Sequence, residues 1–126
     1  NMIKLTIKQI IESTQALFSI GELDCSEKAA HILAKNYLKL KTITEEIDKE
    51  RVKIWKENFG EKGQVNNDDP NLFKYNEQYN SGVLNQEIYF DPEYIELKDL
   101  NLDKNGIRPV ILSSISWMIS DFDKKV

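Results

Sequence analysis

The chain has 126 residues, 40% of them hydrophobic and 30% charged, with a formal net charge of −4. That suffices for one domain with a single core, so 1–126 is expected to fold as a unit. No apolar run approaches the ~18 residues of a membrane span, and the lone cysteine, Cys25, rules out an internal disulfide and fits a reducing, cytoplasmic compartment.

Asn1 before Met2 reads as a tag remnant, and the start shows no signal-peptide pattern. Met2 to Leu5 suits a short strand. Thr6 followed by Gln9 has the capping-box spacing, which predicts a helix from about Ile7. Ile7, Ile10, Ile11, Thr14, Leu17 and Phe18 then share one face, and Gly21 is the expected stop. The link from Glu22 to Cys25 is so short that the next helix, capped by Ser26, must run antiparallel as a hairpin.

Ser26 to Phe59 contains neither Gly nor Pro. Ala29, Ile32, Leu33, Tyr37, Leu40, Ile43, Ile47, Ile54 and Trp55 recur at helical spacing on one broad face. This predicts one long helix, or two with a joint near Thr42 to Thr44. At ~1.5 Å per residue it would reach roughly 50 Å, more than a domain of this size needs. Asn36 and Arg51 are polar intrusions in that face. Lys28, His31, Lys35 and Lys39 form a stripe on the opposite side.

The polar segment 61–69 reads as a mobile loop. Asp69 and Pro70 supply an N-cap and a first-turn proline for a third helix through Leu72, Tyr75 or Asn76, Tyr79 and Val83, its end weakened by Gly82. Gln86 to Asp91 alternates and reads as a strand, with Tyr94 to Leu97 as a second short one. A turn at Asp103 to Gly106 leads to a last helix over Val110 to Phe122. The fold class expected is α+β and mostly helical: a hairpin with one long arm, a third helix, a small strand pair and a C-terminal helix packed back on the hairpin.

Few residues point to chemistry. Asn101, Asp103 and Asn105 alternate as oxygen ligands do in a calcium loop, with Gly106 at the bend. The first position is Asn, however, and no Glu falls at the twelfth, so an Asx-type turn explains the string better. Cys25 and His31 are the only nucleophile–base candidates. Helical spacing puts His31 more than a turn away on the solvent face, so neither catalysis nor zinc binding is expected of them. The Lys28, Lys35, Lys39 stripe could meet an acidic protein surface or phosphate. It lacks the interleaved aromatics of a nucleic-acid reader, and the acidic second half of the chain argues the same way. Arg51 either snorkels or pairs internally, with Glu12 as one possible carboxylate, or it marks a partner surface with Trp55 and Phe59.

The strings "IKLTIKQIIESTQAL", "KAAHILAKN", "FGEKG" and "ILSSISWMIS" together resemble a family of small phage and prophage proteins of Gram-positive hosts, grouped as domain of unknown function 1617. The resemblance covers most of the chain and implies a viral protein acting in the cytoplasm of a bacterial host. It carries no catalytic residue. The expectation is a non-enzymatic protein without a cofactor that binds another protein. Its role would be accessory of virion assembly or inhibitor of a host or antiphage-defence factor. A minor structural component of the virion and a nucleic-acid-binding regulator are the alternatives.

Overall fold

Thr6 ends a strand and opens a helix. The computed structural model describes residues 2–124; the expected tag remnant Asn1 lies outside the described residues. Strand β1 spans Ile3–Thr6 and helix α1 spans Ile7–Ile20. Thr6 Oγ1 accepts from Gln9 N–H at 3.0 Å, and Thr6 N–H donates to Gln9 Oε1 at 2.8 Å. This reciprocal pair fixes the helix start. Gly21 ends α1 at φ 67°, a left-handed backbone that suits glycine.

Helix α2, Glu27–Phe59, starts at Ser26, whose hydroxyl accepts from Ala29 N–H at 3.1 Å. It runs unbroken through the suspected joint. The Thr42 and Thr44 hydroxyls turn back onto the Leu38 and Lys41 carbonyls at 3.0 and 2.8 Å, so they compete with the helix only locally. Gly60 at φ 65° closes it.

Helix α3, Pro70–Tyr79, follows Asp69, which caps Asn71 N–H at 2.9 Å. The preceding loop is tethered: Trp55 Nε1 donates to the Lys62 carbonyl at 2.6 Å, and Val65 packs against the cluster of Ile54, Phe59 and Tyr75. Beyond a 3₁₀ turn at Val83–Asn85, strand β2 covers Glu87–Phe90 and pairs antiparallel with β1, Ile3 opposite Phe90 and Thr6 opposite Glu87. The mostly helical α+β class expected from the sequence is what the chain adopts.

Four local expectations need correction. The third helix does not reach Val83: α3 stops at Tyr79, and Val83 opens the 3₁₀ turn beyond Gly82. Tyr94 to Leu97 is not a strand: only Ile95 bridges, parallel to Ile119, and Leu97–Leu100 is a 3₁₀ turn. Nor is Val110 to Phe122 one helix. Helix α4 covers Pro109–Ser114 and gives way to a 3₁₀ turn at Ser116–Met118. Tertiary bonds win over helix propensity there. Ser13 Oγ shares its one proton between the Gln9 carbonyl at 2.7 Å and the Ser114 carbonyl at 3.0 Å, Trp117 Nε1 donates to Ser13 Oγ, and the Met118 carbonyl accepts from Ile95 N–H. The buried stripe of α1 is also turned toward Ser13 and Ala16, the small residues against which α4 and Trp117 settle. Phe18, expected on the apolar face, is left 74% exposed.

Two cores string along α2. The larger joins Leu5, Ile10, Ala16 and Leu40 to Phe90, Ile95, Leu100, Ile115, Met118 and Ile119. The smaller joins Ile54 and Phe59 to Tyr75. The surplus length of α2 thus carries α3 as a separate lobe.

Candidate functional site

Because the stripe of α1 faces α4, its other edge stands open beside α2. Leu17, Phe18, Ile20, Leu23, Cys25, Ala30, Leu33, Ala34 and Tyr37 surround a mainly apolar recess of about 460 Å³. Phe18 and Tyr37 also border a wider, mixed recess of about 870 Å³. This second part runs from Ile11 and Thr14 on α1 past Ile47 to Asp48, Arg51 and Tyr79. Together they make one groove along the hairpin, apolar at the turn and charged where the α3 lobe begins.

Arg51 stands at the charged end. Its Nε and Nη2 both donate to Asp48 Oδ1, at 3.1 and 3.0 Å. That pairing, and not one with Glu12, accounts for the arginine in the apolar face. Asp48 holds the guanidinium still more firmly protonated than usual. Burial pushes the nearby Tyr79 hydroxyl up, so both groups keep their protons near neutral pH.

The other residues singled out as partner contacts are mostly committed inside the molecule. Phe59 is 7% exposed and belongs to the small core. Trp55 sits 4.4 Å from Phe59 and 5.2 Å from Tyr75, ring centre to ring centre. Lys28 is exposed. Lys35 pairs with Glu93 at 2.7 Å, and Lys39 Nζ donates to the Asp91 carbonyl at 3.0 Å. Between them Asn36, fully buried, donates to the Glu93 carbonyl at 2.8 Å and accepts from Glu93 N–H at 3.1 Å. The supposed solvent stripe is therefore half a clamp on the segment after β2. This clamp escaped sequence reading, although Asn36 in an apolar face was its trace.

The calcium-like string is an internal latch. Asn105 Oδ1 accepts from Asp24 N–H at 3.2 Å, while its Nδ2 donates to the Asp24 and Leu100 carbonyls at 3.1 and 2.9 Å. Asn101 takes the left-handed conformation at φ 49° and donates to the same Asp24 carbonyl. Lys104 pairs with the Asp24 carboxylate. Asp103 is exposed. The amides are thus spent tying the turn to the hairpin loop instead of converging on a cation. Cys25 lines the apolar recess, whereas His31 lies on the side of α2 that faces Glu93, so the two do not form a pair. Among the described residues, no group of three His, Cys, Asp or Glu could hold a metal, and no helix is long and apolar enough to cross a membrane.

No protein-family model, curated protein or solved structure matches the chain.

Proposed function

We propose that this protein works by binding another protein, as a small phage-encoded accessory of virion assembly or an inhibitor of a host or antiphage-defence factor. The observation that carries the reading is the open groove between α1 and α2 with Phe18 standing at its middle. An aromatic side chain left in water forgoes about 1.5–3 kcal/mol that burial would supply, and a partner seated in the groove recovers it. Arg51 at the charged end adds a residue type favoured at binding hot spots. The surface is thus the hairpin groove and not the Trp55–Phe59 end of α2. The phage setting rests on the four strings that resemble that family.

Affinity capture from infected-host lysate tests the proposal, with wild type and Phe18→Glu run side by side. Phe18 is exposed, so the variant should melt within about 2 °C of wild type, as surface substitutions do. A protein recovered by wild type and lost with the variant supports the reading. Recovery of nothing above background, or of the same set by both, counts against it.

A further inference from the structure

The rim of the apolar recess on α2 carries a pattern that continues beyond the groove, because Ala30 and Ala34 line the recess and Leu38 extends their row. Ala30, Ala34 and Leu38 follow one another at helical spacing, all exposed, with Leu38 61% exposed. Small residues there let a second helix approach closely, and Leu38 supplies the knob. Glu27 and Lys41 lie seven positions before and after Ala34, on the same side of the helix. Both are exposed, and neither belongs to an ion pair among the described residues.

That arrangement is complementary to itself when reversed. With two α2 helices antiparallel and Ala34 on the two-fold axis, Ala30 of one copy meets Leu38 of the other, and Glu27 meets Lys41. Both contacts then occur twice, as an isologous interface requires. Seven residues are ~10 Å of helix, a span over which helices crossing at about 20° stay within reach of long side chains. Phe18 and Tyr37, at the mouth of the apolar recess, flank the same line.

We infer that the occupant of this face is a second copy of the chain, the two hairpins joining as an antiparallel four-helix bundle about Ala34. The length of α2 then finds a use. The segment from Ile47 to Phe59 and the α3 lobe project past the second copy's hairpin turn at either end. The charged end of each groove, with Asp48, Arg51 and Tyr79, stays open there. The inference does not rest on the proposed function: the second copy covers the apolar recess beside Phe18, and any other protein would then meet the charged end alone.

Sedimentation equilibrium on the purified chain, from about 1 to 500 µM, tests it. The expected mass is twice the 14.7 kDa of one chain. Ala34→Glu places two carboxylates on the axis and should leave only monomer. Glu27→Lys and Lys41→Glu each turn two attractive pairs into two repulsive ones and should raise the dimer Kd about tenfold or more. Glu27→Lys with Lys41→Glu in one chain restores opposite charges and should return Kd to within about threefold of wild type. Circular dichroism melting confirms that every variant folds. Wild type that stays monomeric throughout overturns the inference. So does a dimer indifferent to Ala34→Glu, or a double variant no tighter than the single ones.

Discussion

Asn36 is the residue whose removal should cost the fold most for its size. It is 0% exposed, and its amide satisfies both the N–H and the carbonyl of Glu93. Asn36→Leu keeps roughly the same volume but leaves both backbone groups without partners. Each unmet buried group costs about 1–3 kcal/mol. The Glu93 side of the pair is only half buried, so water offsets part of the loss. A net cost of about 2–4 kcal/mol results. At about 3–5 °C per kcal/mol for a domain of this size, the Tm should fall by roughly 10 °C. Asn36→Asp should do no better near neutral pH, since it faces a carbonyl with a buried carboxylate. Urea titration alongside thermal melting measures both. A change within about 0.5 kcal/mol for Asn36→Leu would refute the claim that this clamp holds the segment after β2.

The partner of that clamp gives a pH dependence. Lys35, hydrogen-bonded to the Glu93 carboxyl, holds it below its usual range. A depressed folded value means that the contribution is complete above the unfolded value near 4.5 and is lost as pH falls through the folded one. Glu93→Gln should therefore flatten the decline of Tm between about pH 5 and pH 3, and an unchanged slope counts against the pairing. Gly82→Ala drives the new Cβ into the Gln78 carbonyl behind α3 and should cost about 1–3 kcal/mol by urea titration; a neutral result would mean that the turn gives way. Asn105→Ala cuts the latch to Asp24 and should lower stability by about 1–2 kcal/mol. Calcium added to the wild type should produce neither heat in calorimetry nor a rise in Tm.

Much of the frame was legible because local chemistry agreed with the fold. The Thr6–Gln9 box, the Ser26 cap, the Asp69–Pro70 start and the glycine stops sit where capping rules put them. What escaped lay in long-range bonds. The break after Ser114 is made by Ser13 and Ile95, about a hundred residues and about twenty residues away in sequence, and no helical period contains that information. Phe18 and the lysine stripe failed for the same reason. Spacing says which residues share a face, and only packing says what covers it. Phe59 illustrates the limit from the other side: its aromatic neighbours belong equally to a hot spot and to a core, and folding made them a core.

The hairpin groove is proposed as the working face of the molecule. Two phenylalanines test it, because they are equally open to solvent: Phe18 in the groove is 74% exposed and Phe73 on α3 is 72% exposed. A photoreactive phenylalanine analogue at either position, irradiated in infected-host lysate, should report what each face touches. Covalent adducts with polypeptide are expected from position 18, whether a second copy or another protein by mass, and none from position 73. Adducts from 73 alone, or equally from both, would contradict the proposal.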